Sequence, residues 1–392
     1  MSCVPDSRRR TRGLVNRLAR PLLAVAFLAQ IVVPLARIAT SYRATEAALS
    51  PALVLALSSA FALLPALLAV SMGRYNDRHG SGHAAIYGSL LLTAGCLLLF
   101  LPLPGMAWLL LASVLLGVGQ TLQLTALQAE VAAMRSPAQK ERMIGGLMLW
   151  QAVGQVGAPL LLSAVAVLGS ELTRNLSLVT TVLAGITTVL SLSLLRHAAQ
   201  PKPTKAPARI SDIVAIRGFP WIVAGGSLCV AVQDLTLVYL PVVGEQRGIP
   251  PATIGVMLAF FAVTQMLSRA AYPRVATRLG LQRLMWFSVL GTGVMTAFLA
   301  LPVGEVVLTG FLSLSGFFLG FAITASVALT IKIAPPAARS TSLGLRLSIN
   351  RFGQFAIPAM AGLIASAQAG AVFLLLGMVV AGTGVFGFRK RS

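Results

Sequence analysis

Residues 145–159 read GGLMLWQAVGQVGAP, and residues 344–358 read GLRLSINRFGQFAIP. Gly145, Gly154, Gln155 and Pro159 of the first stretch correspond to Gly344, Gly353, Gln354 and Pro358 of the second, about 200 residues later. A second pair has nearly the same offset. Residues 73–80 are GRYNDRHG and 273–280 are PRVATRLG, so that Arg74, Arg78 and Gly80 match Arg274, Arg278 and Gly280. Two sets of matches at one spacing mark an internal duplication.

Composition says what is duplicated. Of the 392 residues 57% are hydrophobic and only 10% charged. A soluble domain carries about a quarter charged residues, and a chain this apolar cannot cover itself with polar surface in water. About 20 apolar residues cross the hydrocarbon as a helix. On that length, spans fall at roughly 20–41, 50–72, 84–102, 106–128, 143–168, 173–195, 218–242, 252–271, 284–302, 304–331, 341–366 and 370–388. The expected fold is all-α integral membrane, with twelve transmembrane helices in two pseudo-symmetric six-helix bundles. Each half has an even number of spans, so the copies are parallel. The chain then divides into a basic N-terminal tail (1–19), a first bundle (20–195), a Pro- and Lys-rich linker (196–217), a second bundle (218–388) and a short tail (389–392).

The net charge of +21 would suggest nucleic acid in a soluble protein. Here the cations gather at both termini and in alternate loops, while the intervening loops hold only Arg43, Arg174 and Arg247. That asymmetry places both termini in the cytoplasm and makes the lipid bilayer, not nucleic acid, the partner of the basic loops. The three cysteines, Cys3, Cys96 and Cys229, have no metal-type spacing, and no metal or other cofactor is expected.

The quoted stretches resemble those of the major facilitator superfamily over nearly the whole chain, and in particular its twelve-helix drug/proton antiporter-like members. The family signature between helices 2 and 3 is Gly-x-x-x-Asp-Arg-x-Gly followed by basic residues. Gly73, Asp77, Arg78 and Gly80 match it; Ser81, Gly82 and His83 depart from its basic tail, and Thr277 replaces the aspartate in the second copy. The resemblance implies a conformational latch at Gly73, Asp77, Arg78 and Gly80, with Arg274, Arg278 and Gly280 as its counterpart. Read from the residues alone, the same segments could be solvated turns. The fifth span is similar to the family's antiporter motif at Gly145, Gly154 and Pro159, with Gly344, Gly353 and Pro358 repeating the pattern in the eleventh. Ala158 and Leu162–Ser163 break the motif. Small residues plus proline suit a bending helix, and equally suit ordinary close packing.

A charge stranded at mid-bilayer costs roughly 2.5–3.5 kcal/mol, so intramembrane ions normally face a cavity or a partner. Four stand out: Arg37, Asp234, Arg346 and Arg351. Family architecture implies that helices 1, 4, 7 and 10 line the central cavity, which puts Asp234 on it. Burial favours a neutral acid and a nearby arginine favours the anion, and that opposition builds a proton site; a structural ion pair with Arg37 fits the same residues. Arg346, Asn350 and Gln354 share one face of the eleventh span with Arg351 beside them. Gln30, Gln120, Gln123, Gln151, Gln155, Gln233 and Gln265 are further candidates for the cavity or for helix packing, and Trp150 and Tyr239 for an aromatic wall, with Tyr239 alternatively an interfacial anchor.

The function expected is secondary active transport of a small organic solute by alternating access. Resemblance leans towards proton-coupled efflux, with the proton as coupling ion; the arginine excess leans towards uptake of a small organic anion. A non-transporting receptor of the same fold is the alternative from another class. No Ser-His-Asp, metal-type or phosphate-loop cluster points to an enzyme. The protein is expected to act as a monomer, and its Ala-, Arg-, Leu- and Gly-rich composition suggests a bacterial inner membrane.

Overall fold

The computed structural model of the protein describes residues 6–101, 105–132, 137–168, 171–195, 210–334, 339–364 and 369–389. The side chains of some helical residues, Gly73, Arg74 and Asn76–His79 among them, lie outside that description. Thirteen helices are present among the described residues: α1 (Asp6–Glu46), α2 (Pro51–His79), α3 (Ser81–Phe100), α4 (Met106–Ala132), α5 (Pro137–Leu168), α6 (Leu172–Leu192), the short α7 (Ile210–Val214), α8 (Phe219–Gln246), α9 (Pro251–Leu279), α10 (Leu281–Phe298), α11 (Glu305–Ile333), α12 (Arg339–Ile364) and α13 (Ala369–Arg389). Twelve of them correspond to the twelve spans, and α7 sits in the linker.

Among the described residues, ten helices are long and apolar enough to cross a membrane by themselves. The two that fall short explain themselves. The first turn of α10 carries Gln282 and Arg283, and α12 carries Arg346, Asn350, Arg351 and Gln354. Gln282 and Arg283 lie exposed at the helix end, whereas α12 can hold its polar residues in mid-span only if they turn away from lipid. The chain is helical from Asp6, so α1 of 41 residues takes in most of the basic N-terminal segment as well as the first span. Residues 196–209 and 390–392 lie outside the described residues.

α1 packs on α5 and α6, α3 on α4 and α6, and α2 on α4, forming one bundle. The images of these contacts form the other: α8 on α12 and α13, α10 on α11 and α13, α9 on α11. Between bundles, α2 meets α12, α5 meets α9 and α1 meets α8. Exchange of the two halves maps α2–α12 onto α5–α9, so the interfaces obey the duplication as well. The matched turns do too. Gly80 and Gly280 both take positive φ, 85° and 79°, with ψ of 148° and 140°. L-residues with a Cβ rarely adopt that region, which is why the turn keeps glycine in both copies.

The three arginines that break the charge asymmetry have local duties at the end of the bundles away from the termini. Arg43 donates to Leu101 O at 3.1 Å and Arg174 to Glu171 at 2.9 Å. Arg247 donates to the carbonyls of Leu299 and Ala300, both at 3.1 Å, and burial pushes its pKa down. They tie loops to helix ends. Cys96 and Cys229 are free and buried.

Candidate functional site

A cavity of about 230 Å³ lies between the bundles at mid-height. From the first bundle come Gln30, Pro34 and Arg37 on α1, Phe61 on α2, Gln120 on α4, and Gln155 and Pro159 on α5. From the second come Gln233, Asp234 and Leu237 on α8, Phe261 and Gln265 on α9, and Asn350, Arg351 and Gln354 on α12. One acid, two guanidiniums and many amides therefore share one space. α11 contributes no lining residue, against the expectation from family architecture for the tenth span. It packs closely behind α9 instead: Gly316 faces the carbonyl of Phe261 and Gly320 the backbone of Gln265, so α9 supplies the wall.

The polar groups form two linked sets. Arg37 pairs with Asp234, Nη1 to Oδ1, at 2.9 Å across the bundle interface. Its Nη2 donates to Ser58 Oγ at 3.0 Å, and its guanidinium lies 4.5 Å from the centre of the Phe61 ring. Arg37 is 7% exposed and Asp234 16%. The second carboxylate oxygen of Asp234 accepts from Gln354 Nε2. Arg351 meets only neutral acceptors among the described residues: Gln354 Oε1 at 3.0 Å and, from the other bundle, Gln120 Oε1 at 3.4 and 3.5 Å. Gln155 donates to Gln30 Oε1 at 3.4 Å, and Ser227 to Asn350 Oδ1 at 2.5 Å. Charge-assisted hydrogen bonds are the strong ones, and Arg37 has one carboxylate while Arg351 has none.

Several predicted residues lie elsewhere. Gln123 is 1% exposed and donates to Ser89 Oγ at 2.6 Å, joining α4 to α3 within one bundle. Gln151 lines only a side cavity of about 10 Å³, shared with Gln30 and Gln120. Arg346 is buried behind α12, where Nε donates to Ser326 Oγ at 3.4 Å. Trp150 is 43% exposed and packs edge-on against Phe27, and Tyr239 is buried against Phe373, so neither walls the cavity. The rings that do are Phe61 and Phe261. Of the helix-bend positions, Pro159 and Pro358 sit inside α5 and α12. A Cβ on Gly154 would come within 2.5 Å of Phe27 O, whereas Gly353 has 3.8 Å of room. The surroundings of Gly145 and Gly344, and the side chains of Asp77 and Arg78, lie outside the described residues. Arg274 and Arg278 are exposed at their turn.

Two charged residues escaped the sequence reading. Arg269 on α9 donates to Gln265 Oε1 at 3.5 Å, one turn from the cavity. Glu130, 7% exposed at the end of α4, accepts from Ser81 Oγ. Both lie near the ends of the predicted spans, where a long side chain can reach an interface, so counting charges at mid-span passes over them.

Among the described residues, hydrogen bonds between the bundles lie at the cavity and at the end away from the termini. There Ser41 Oγ donates to Val238 O at 2.7 Å, and Ser163 Oγ to Ala252 O at 2.9 Å. That end is closed.

No curated protein matches the chain. Among solved structures, the nucleoside transporter NupG superposes with a TM-score of 0.74 at 16% identity, over 94% of this chain and 98% of that one. The peptide transporter POT in complex with sulfate gives 0.78 at 14%, over 95% and 93%. A bacterial homologue of the human lysosomal transporter Spinster, inward-facing and unoccupied, gives 0.76 at 14%, over 95% and 94%. At such identities these likenesses are likenesses of fold. The sequence itself supplies the rest: the family model for the Major Facilitator Superfamily matches residues 22–301 and again 222–392, and the chain belongs to that family of membrane transporters.

Proposed function

We propose that the protein carries a small organic anion together with a proton, by alternating access. The observation that carries this reading is the unequal supply of counter-charge: Asp234 is in direct contact with Arg37, while Arg351 feels that carboxylate only at a distance and touches amides alone among the described residues. A carboxylate-bearing solute would give Arg351 the partner it lacks. A cavity of about 230 Å³ is below the ~300–1,000 Å³ usual for drug-sized ligands, which favours a small solute.

The same geometry supports coupling. An anion that engages Arg37 takes away the counter-charge of Asp234 and favours a proton there. A proton on Asp234 frees Arg37 for the anion. Each ligand then strengthens the binding of the other, and ligands that bind together cross together. A lipophilic cation would compete with the proton for Asp234 instead, which is the logic of efflux by antiport. Charge asymmetry supports cytoplasmic termini, so the closed end faces outward and the bundles 20–195 and 218–388 rock about the cavity. We place the carrier in a bacterial inner membrane as a monomer.

The test is solute-driven proton movement in proteoliposomes loaded with a pH dye. Small carboxylates should acidify the lumen of wild-type vesicles, and Arg351→Gln should shift that response to about 10- to 100-fold higher solute concentrations. Proton release driven by lipophilic cations, with no response to carboxylates, would overturn the proposal in favour of drug antiport.

A further inference from the structure

On the outer flank of the second bundle, at the end that bears the termini, a hollow of about 350 Å³ opens between the first turns of α8 and α10 and the last turns of α13. It shares no lining residue with the cavity between the bundles. Its wall is aromatic: the rings of Trp221 and Phe386 lie 4.7 Å apart at 49°, each about two-fifths exposed, with the buried Trp286 behind them. Gly387 makes the wall possible, because a Cβ there would stand 2.2 Å from Trp286 Cδ2. The indole can lie flat on α13 only over a glycine.

The rim is polar and basic. Arg217 and Gln282 edge the hollow, Arg217 exposed and without an ion-pair partner among the described residues. Arg283 and Arg389 are exposed at the neighbouring helix ends. The nearest acid in the sequence, Asp212 on α7, is exposed and accepts from Ser211 Oγ at 3.2 Å.

We infer that this hollow holds one anionic phospholipid, with its phosphate against Arg217 and Gln282 and an acyl chain lying over Phe386. Aromatic side chains with a polar edge sit at headgroup depth, and basic pockets between helices at that depth suit anionic headgroups. A free phosphate would leave the aromatic wall unused. A partner helix, about 10–12 Å across with side chains, would not fit.

The experiment is native mass spectrometry of the whole protein in detergent, titrated with phosphatidylglycerol or phosphatidylcholine. One phosphatidylglycerol should be retained in preference to phosphatidylcholine. Arg217→Gln should weaken that retention roughly tenfold, as loss of a charge-assisted contact implies, and Trp221→Ala should weaken retention of both lipids. Arg274→Gln, an exposed arginine at the same end but away from the hollow, should change nothing. Equal retention of the two lipids by the wild type would overturn the inference. So would a phosphatidylglycerol preference that survives Arg217→Gln, a loss in Arg274→Gln equal to that in Arg217→Gln, or displacement of the lipid by excess inorganic phosphate.

Discussion

Replacing Asp234 with Asn removes the charge opposite Arg37 and leaves the shape almost unchanged. Arg37 would keep Ser58 Oγ at 3.0 Å and the Phe61 face at 4.5 Å, but would be a cation 7% exposed with no anion in contact. Removing one partner of a buried ion pair costs about 3–5 kcal/mol. Asp234 is 16% exposed and water reaches it, so the lower end applies. The pair spans α1 and α8, which belong to different bundles, so the cost falls on the state in which those helices touch. A shift of about 3 kcal/mol moves a two-state equilibrium by roughly 100-fold. Spin labels at Glu171→Cys and Gln246→Cys, both exposed at the closed end, would read the separation of the bundles there. In Asp234→Asn the distance distribution should lengthen at every pH. Proton-coupled accumulation should vanish while solute exchange persists. Wild-type distances and unaltered proton flux in Asp234→Asn would refute the reasoning, because the pair would then be neither a closure contact nor a proton site.

Three further outcomes follow from the same geometry. Arg351→Gln should raise the half-saturating concentration of the transported anion about 10- to 100-fold, the ~1.5–3 kcal/mol of a hydrogen bond to a charged group, in a liposome uptake assay. Gly255→Ala would place a Cβ 2.7 Å from Pro159 O and 2.8 Å from Ser163 N, both backbone, so the α5–α9 contact must part; the same spin-label distance should lengthen without any pH dependence. Gly117→Ala would put a Cβ 1.7 Å from Phe61 O, inside one bundle and beneath the ring that covers Arg37; overpacking of about 1–3 kcal/mol should lower thermal stability, measured by a thiol-reactive unfolding dye, and reduce transport along with it.

The fold was legible because lipid simplifies the rules. Every backbone polar group in hydrocarbon must be satisfied within its own segment, so apolar length marked out the helices even where polar residues bring α10 and α12 below the threshold, and the repeat from Gly145–Pro159 to Gly344–Pro358 arranged them in two copies. The gathering of Gln30, Arg37, Gln120, Gln155, Gln233, Asp234, Asn350, Arg351 and Gln354 round one space was legible for a related reason: a costly residue has few places to go. Legibility stopped where the cost was small or could be met in two ways. A glutamine can satisfy itself against a serine on the next helix, as Gln123 does with Ser89, and nothing in its own span distinguishes that from facing the cavity. Arg346 and Arg351 are only five residues apart, yet one turns into its bundle and the other into the cavity, a matter of rotation about α12 that neighbouring helices decide. On α9 the sequence offered Gln265 but not Phe261; both face inward with Gly316 and Gly320 letting α11 press close behind.

The closed end and the cavity hold the bundles together by contacts of different physical kinds, and the difference bears on how a carrier can rock. Ser41 to Val238, Ser163 to Ala252 and the bare backbone at Gly255 are neutral contacts, indifferent to protons. Each such hydrogen bond contributes about 1 kcal/mol, which thermal motion can offset. The Arg37–Asp234 pair is of another kind. Intact, a buried pair adds little net stability, because desolvation consumes most of the attraction; with one partner neutralised, it costs several kcal/mol. The pair therefore scarcely loads the closed arrangement, and yet the loss of either charge would be felt steeply. A closure built from neutral contacts alone would open and shut at random. Among the described residues the one ionic contact between the bundles lies at the cavity, so on the proposed mechanism opening becomes conditional on what the cavity holds.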